Sequence, residues 1–184
     1  MSAVLDAIAS RRSYSVVTAD APGRDELVPL IQAAARASDH GALRPWRIIE
    51  LRGDARAALG AALVAAAGLE GPAAAKLAGK PLRASLLLAL VARRRPSHKV
   101  PDWEQDAAAV GVAHFLSLLL EDAGWGVMWR TGGHTRAEPV RQVHGLADGE
   151  ELLGWLYVGG IPENVKPAVR QPVNTDDHLS ALPA

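Results

Sequence analysis

The fold is decided by residues 85–92, SLLLALVA, where Ser85 is followed by seven consecutive apolar residues. Turn-forming residues lie near both ends of this run. An uninterrupted apolar run of this length is too short to cross a membrane. It is typical of a β-strand that is covered on both faces, whereas a half-exposed strand would alternate polar and apolar residues. We therefore predict a buried strand here.

A long helix is predicted at residues 102–122. Asp102 stands at the N-cap position and Gln105 follows three residues later, which is a variant of the capping box. The segment is apolar through most of its length, and Gly124 ends it. These features indicate the central, buried helix of the protein. Trp103 is expected to anchor its first turn in the core.

The other elements follow from helical spacing, short apolar runs and capping residues. Strands are predicted at 47–51, 125–130 and 152–158, and helices at 2–10, 24–36, 54–67 (capped by Asp54) and from the capping box Thr135–Glu138 to about His144. Residues 68–80 are the least defined stretch and are weakly helical. Helices and strands interleave around at least four strands, an α+β or mixed α/β arrangement. With no repeat and no linker, residues 1–184 are expected to form one domain.

The composition excludes several classes of protein. Hydrophobic residues make up 49% of the chain, so a disordered chain is excluded. Twenty basic and twenty acidic residues balance, which argues against a nucleic-acid-binding surface. Without cysteine there is no disulfide framework and no thiolate chemistry. The first twelve residues lack the apolar run of a signal peptide, so a cytoplasmic protein without a membrane segment is expected.

Common catalytic and nucleotide-binding motifs are also absent. The sequence has no GxGxxG after a strand, no GxxxxGK[ST] and no GxSxG, which disfavours a Rossmann site, a P-loop and a serine-hydrolase elbow. The six histidines share no metal-ligand spacing, so no metal site is expected.

Three polar segments beside the ends of predicted elements are candidates for a binding site. The first is Arg11-Arg12-Ser13, directly after a helix. Two guanidinium groups and a hydroxyl can clamp a phosphate or a polyhydroxy chain. Alternatively, they are solvated cations at a helix C-terminus, where positive charge is favourable.

The other two segments are the loop from Asp39 to Trp46 and the run Trp129-Arg130-Thr131-Gly132-Gly133 at a strand end. The loop could line a pocket or form a turn with its tryptophan in the core. Glycines at a strand end allow backbone N–H groups to approach a ligand, and Arg130 adds positive charge. The alternative is a Gly-Gly turn with one surface arginine.

Four short sequence motifs, taken in order, resemble those of the nitroreductase (flavin reductase-like) family. They are RRS (11–13), RASDHGALRPW (36–46), HKVPDWEQ (98–105) and WRTG (129–132). Each motif alone is weak evidence for the family, but together the four motifs extend over roughly residues 8–160. The chain is most similar to the minimal, YdjA-like bacterial members of the family.

This resemblance implies an α+β fold with a mixed, mainly antiparallel sheet flanked by helices. It also implies an intertwined homodimer that binds FMN at the subunit interface. The implied flavin-binding residues are Arg11, Arg12 and Ser13 on the phosphate and ribityl chain, Arg36 and His40 from the partner subunit, and Trp129, Arg130 and Thr131 beside the ring. Backbone amides near Thr131 and Gly132 would face the reactive nitrogen, so no catalytic side chain is expected. A segment attributed to nicotinamide nucleotide binding matches Leu119, Leu120, Glu121, Asp122, Ala123 and Gly124.

The implied activity is an FMN-dependent NAD(P)H oxidoreductase that reduces a nitroaromatic, a quinone or a similar small-molecule acceptor by a ping-pong mechanism. The sequence selects neither NADH nor NADPH, and it does not identify the acceptor. Gly41 stands where similar proteins have lysine after the histidine, which removes one positive contact. Two alternatives therefore stay open: a flavin enzyme of the same fold for dehalogenation, desaturation or flavin breakdown, and a non-catalytic protein that sequesters FMN.

Overall fold

The computed structural model describes residues 2–165 and 170–182. Its centre is a four-stranded antiparallel sheet with the strand order β1-β2-β4-β3. The strands are β1 (Trp46–Leu51), β2 (Leu86–Arg93), β3 (Trp125–Arg130) and β4 (Glu150–Gly160). The predicted strand at 85–92 is thus confirmed as β2, in the interior of the sheet.

Six helices surround this sheet within the described ranges. They are α1 (Ala3–Ser10), α2 (Arg24–Ala34), α3 (Asp54–Ala67), α4 (Gly71–Ala78), α5 (Asp102–Asp122) and α6 (Glu138–Val143). Short 3-10 turns lie between or after these elements, at His40–Ala42, Lys80–Arg83 and Thr175–Asp177. Residues 68–80, which the sequence left least defined, therefore contain a regular helix, α4. No helix in the described ranges is long and apolar enough to cross a membrane.

The two faces of the sheet carry separate hydrophobic cores. Leu86, Leu88 and Leu90 of β2 point towards α2 and α5, and the alternating residues Leu87 and Ala89 point towards α3 and α6. Burying one leucine side chain contributes about 1.5–3 kcal/mol. Both cores therefore depend on the single apolar run of β2, which explains why that run contains no polar residue.

The N-terminal segment, defined as residues 11–20, closes the sheet beside β3 and the end of β4. Tyr14 N–H donates to Val127 O at 3.0 Å, and Thr18 N–H donates to Gly160 O at 2.8 Å. A Cβ at Gly159 would lie 2.7 Å from Thr18 O, so only glycine allows this close approach. The segment after α1 is thereby placed against β3, where two of the predicted site segments meet.

The predicted capping box of α5 is wrong. The N-cap residue is Pro101, and Gln105 is 1% exposed and binds the loop before the helix instead. Its amide accepts from Arg95 N–H at 2.8 Å and donates to Arg95 O at 2.9 Å and Val100 O at 3.2 Å. These backbone groups of a packed loop need partners, and this requirement outweighs capping of the helix.

Two further capping predictions are wrong. Asp54 is the first residue of α3, not its cap, because Gly53 occupies the cap with φ +49°. The box Thr135–Glu138 does not form, since the hydroxyl of Thr135 donates to Gly132 O at 3.0 Å and closes a turn before α6. Trp103 is 69% exposed, so it does not anchor α5 in the core of its own chain.

Candidate functional site

The structure brings the first and third polar segments together at the edge of β3. Tyr14, next to Arg12 and Ser13, pairs with β3 through its backbone N–H. Arg130 at the end of β3 donates from Nη2 to Ser15 O at 3.4 Å. Arg11 is half-buried directly after α1. Two segments more than a hundred residues apart in sequence therefore form one site.

Two cavities of about 390 Å³ each open at this site. The first, the β3 cavity, is lined by Leu63, Leu77, Lys80, Arg83, Met128, Trp129, Arg130, Thr131, Gly132, His134, Thr135, Trp155 and Tyr157. The second, the N-terminal cavity, is lined by Arg12, Ser13, Tyr14, Ser15, Val16, Pro162, Asn164 and Val165. Arg130 links them, because it lines the β3 cavity and donates to Ser15 of the N-terminal cavity.

The lining of the β3 cavity is positively charged. Lys80, Arg83 and Arg130 contribute to it, and none of the other described residues in the lining carries a carboxylate. The Cζ atom of Arg130 lies 5.1 Å from the ring centre of Tyr157, a cation–π contact. Burial raises the pKa of Tyr157, whereas the charges of Arg130 and Arg83 lower it. The cavity therefore suits a planar ligand that carries or gains negative charge.

Two buried donors without partners in the described residues belong to arginines at these cavities. Within the described residues, four buried side-chain polar atoms have no hydrogen-bond partner: Arg12 Nε, Arg56 Nε, Trp129 Nε1 and Arg130 Nε. Three of the four belong to residues that the sequence assigned to the site. An unsatisfied buried donor costs about 1–3 kcal/mol. Arg12 and Arg130 line the two cavities, where a ligand with several acceptor atoms would remove this cost, so these two residues fit a polyoxygenated anion.

Trp129 faces away from the β3 cavity. Its indole packs edge to face against His114 of α5, with ring centres 5.1 Å apart, on the α2 and α5 side of the sheet. Arg130, one residue later, lies on the opposite face because strand side chains alternate. The backbone of this strand end therefore borders the cavity, while the indole belongs to the neighbouring core.

The second polar segment lies at the other end of α5. His40 Nδ1 is 2.7 Å from the carboxylate of Glu104 near the start of the helix. Arg12 N–H donates instead to Glu121 near its end. Residues 104 and 121 are separated by about 25 Å along a helix. One chain alone therefore does not bring His40, or the exposed Arg36 beside it, to the N-terminal cavity.

His40 borders a third cavity of about 430 Å³, which is mainly apolar. Its lining comprises Ala37, Ser38, His40, Trp103, Glu104, Ala107, Ala108, Gly111 and Phe115. Trp103 and Phe115 are exposed there, and small residues of α5 form the floor. Gly41 turns beside it with φ +76°, a conformation that favours glycine.

Residues 119–124 have several environments. Leu119 and Leu120 pack into the core, Glu121 binds the N-terminal segment, and Asp122, Ala123 and Gly124 are exposed. Their role in nicotinamide binding stays a prediction.

Sequence reasoning missed Lys80, Arg83 and Tyr157 of the β3 cavity, as well as the contact of Glu104 with His40. It matched Glu121 to a nicotinamide-binding segment and did not anticipate its contact with the backbone of Arg12. Lys80 and Arg83 lie in a 3-10 turn after α4, in the stretch with the weakest local pattern. No motif in the sequence marks them, because only the folded chain places them opposite Arg130.

The chain belongs to the nitroreductase family, whose model matches residues 8–160. It is 32% identical over 158 residues to YdjA of Escherichia coli strain K12, and this match covers 84% of this chain and 86% of YdjA. The name of YdjA designates that protein as an NAD(P)H nitroreductase. The family and the similarity to YdjA-like members are thereby confirmed.

Solved structures share the fold. A nitroreductase-like protein from Bacillus cereus superposes with a TM-score of 0.83 at 22% identity, covering 99% of this chain and 97% of the other. NfnB from Sphingopyxis sp. strain HMH, described as an FMN and NADPH-dependent nitroreductase, gives a TM-score of 0.76 at 21% identity, covering 98% and 99%. The predicted α+β fold with an antiparallel sheet between helices is confirmed.

Proposed function

We propose that this chain is an FMN-dependent NAD(P)H oxidoreductase that works as a homodimer. The observation that carries the proposal is the pair of buried, unpartnered donors, Arg12 Nε and Arg130 Nε, at two cavities linked by Arg130. An elongated ligand with a phosphate at one end and a flat, electron-accepting ring at the other matches this arrangement. The names of YdjA and NfnB, which refer to NAD(P)H and to FMN with NADPH, support this assignment.

The N-terminal cavity would hold the phosphate and ribityl chain of FMN through Arg11, Arg12 and Ser13. The β3 cavity would receive the ring, with Arg130 and the backbone of Thr131 and Gly132 at its border. Bound FMN would supply the two-electron chemistry that transfers hydride equivalents from NAD(P)H to a nitroaromatic, a quinone or a similar acceptor in a ping-pong cycle.

The side chains of the β3 cavity would favour reduction electrostatically. Lys80, Arg83 and Arg130 place positive charge where added electrons create negative charge. None of these groups needs to transfer a proton, which agrees with the expectation that the protein supplies no catalytic base.

A second copy of the chain would complete the site. His40 and Arg36 lie at the opposite end of α5 from Arg12, so both ends meet one flavin only if two chains contribute. Exposed apolar side chains on α1 and α5 need a cover: Val4, Leu5, Ile8, Trp103 and Phe115. Both observations support the homodimer with FMN at the subunit interface.

The test is an anaerobic titration of the FMN-loaded protein. We expect NADH or NADPH to bleach the flavin absorbance and a nitroaromatic or quinone to restore it, with parallel double-reciprocal plots in the steady state. A colourless protein that does not take up added FMN would contradict the proposal. A cytoplasmic location stays a prediction.

The alternatives give different results in the same assay. Gly41 in place of lysine favours the sequestering protein, which would bind FMN but show no bleaching with either nucleotide. A same-fold enzyme for dehalogenation, desaturation or flavin breakdown would bleach normally but turn over none of the nitroaromatics or quinones.

A further inference from the structure

The carboxylate of Glu121 holds the backbone of the N-terminal segment in place. Both of its oxygens accept from the Arg12 N–H, at 2.9 and 3.1 Å. Glu121 lies in the last turn of α5, so this bond ties the segment to the central helix. Hydrogen bonds to a charged acceptor are roughly twice as strong as neutral ones. The contact is therefore able to fix where residues 11–13 lie.

Tyr14 fixes the guanidinium of the same arginine. The Cζ atom of Arg12 lies 5.1 Å from the centre of the Tyr14 ring, and the Tyr14 backbone is bonded to Val127 of β3. Burial and the nearby Glu121 carboxylate raise the pKa of Tyr14, so the phenol stays neutral at physiological pH. Arg12 is thus held at its backbone and at its guanidinium, while its buried Nε has no acceptor among residues 2–165 and 170–182.

Glu121 is negatively charged, so it does not contribute to the site by attracting a phosphate. A carboxylate close to a phosphate site repels the phosphate and, by itself, lowers the affinity. None of the described residues that line the N-terminal cavity is acidic, so Glu121 acts from outside it, through the Arg12 backbone.

We propose that Glu121 is the positioning residue of the flavin phosphate, because its bond to the Arg12 N–H keeps Arg12 Nε and Ser13 at the N-terminal cavity. The assignment rests on the proposed function, since the phosphate is that of FMN. It predicts that Glu121 affects FMN binding but has little effect on riboflavin, which has the same ring and ribityl chain without the phosphate.

The experiment measures the Kd of FMN and of riboflavin by flavin fluorescence, for the wild-type chain and for Glu121→Ala, Glu121→Gln and Asp148→Ala. Asp148 is the control: it is an exposed carboxylate in the turn before β4, and its side chain makes no hydrogen bond or ion pair within residues 2–165 and 170–182. Thermal melting shows which variants fold at the assay temperature.

We expect Glu121→Ala to weaken FMN binding about tenfold and riboflavin binding less than about twofold. Glu121→Gln should lie between Glu121→Ala and the wild type, since an amide oxygen still accepts from Arg12. Asp148→Ala should leave both constants unchanged. If Glu121→Ala does not fold, the selective loss of FMN affinity must appear in Glu121→Gln.

Tighter FMN binding in Glu121→Ala would show that the carboxylate only repels the phosphate, and would overturn the assignment. Equal weakening of FMN and riboflavin would also overturn it, because that result indicates a general structural role. If wild-type protein binds FMN and Glu121→Ala binds it equally well, only the role of Glu121 fails. If the wild-type chain binds neither flavin, the proposed function fails as well.

Discussion

Arg130 makes two contacts that depend on the shape of the arginine side chain, and it leaves one buried donor without a partner in the described part of the chain. Its guanidinium donates to Ser15 O, stacks over Tyr157 and keeps a buried Nε without a partner at the junction of the two cavities. Lysine carries the same charge but has neither a flat face nor a fork of donors.

We predict that Arg130→Lys lowers FMN affinity about tenfold although the charge is kept, because a hydrogen bond to a charged group is lost. Fluorescence titration with FMN measures this loss. Arg136→Lys is the control, since Arg136 pairs with Glu151 and is not among the residues that line either cavity. Wild-type affinity in Arg130→Lys would show that charge alone matters at this position.

His144 is a buried titratable group outside the site. The indole N–H of Trp155 donates to His144 Nε2 at 3.0 Å, so the ring proton is on Nδ1, which donates to Val140 O at 2.7 Å. Burial lowers the pKa of His144, and the charge of Arg47 lowers it further, against the bond to Val140. The folded protein therefore keeps this imidazole neutral.

As the pH falls, His144 is protonated in the unfolded chain before it is protonated in the folded protein, because its pKa is higher in the unfolded chain. The stability that neutral His144 contributes to the folded protein is fully present above about pH 6.5, and it is lost as the pH falls towards the folded-state pKa. We predict a lower melting temperature at about pH 5.5 than at about pH 7.5, and a smaller decrease in His144→Gln, whose amide bonds both partners without titrating. Equal decreases in both proteins would contradict this prediction.

At the scale of elements, contact between the N-terminal segment and β4 depends on Gly159. A Cβ there would lie 2.7 Å from Thr18 O and 2.8 Å from Val17 Cβ. We predict that Gly159→Ala costs about 1–3 kcal/mol of stability, as overpacking does. It should also weaken FMN binding, because the segment that carries Arg12 is displaced.

Denaturant unfolding and FMN titration measure both effects. Gly133→Ala is the control for stability, because a Cβ there meets nothing within 4 Å. A Gly159→Ala protein as stable as the wild type would show that the segment is not held by this close approach.

Local patterns in the sequence predict the strands well. The prediction at 125–130 coincides with β3, and the apolar run at 85–92 differs from β2 by one residue at each end. An uninterrupted apolar run is compatible only with a position between two cores, so the strand and its burial follow from the same residues.

Capping residues and the cavity walls could not be predicted in this way. Gln105 binds Arg95 and Val100 because a loop packs on α5, and the sequence alone does not show this contact. The same holds for Lys80 and Arg83, which become part of the site only when their turn packs opposite β3. The Arg11–Ser13 and Trp129–Thr131 segments could be named as candidates because each contains groups that suit an anion, and their role in binding stays a prediction. That these two segments meet at the edge of β3 is visible only in the folded chain.

At the scale of the whole molecule, α5 separates two half-sites. Arg12 is bound at one end of the helix and His40 at the other, and the exposed apolar residues of α1 and α5 provide a surface for a second chain. Each flavin would then take Arg12 from one subunit and His40 from its partner. That residues 1–184 form one domain stays a prediction, as does the dimer.

A mixed dimer tests this division of the site. We predict that Arg12→Ala and His40→Ala homodimers each bind FMN weakly, because both of their sites lack one contact. In a heterodimer that carries two different affinity tags, one site loses both residues and the other regains both. The purified heterodimer should therefore bind one FMN per dimer with wild-type affinity and show about half of the wild-type activity. If Arg12 and His40 served the same chain's site, every site in the heterodimer would keep one defect, and titration would detect no tight site at all.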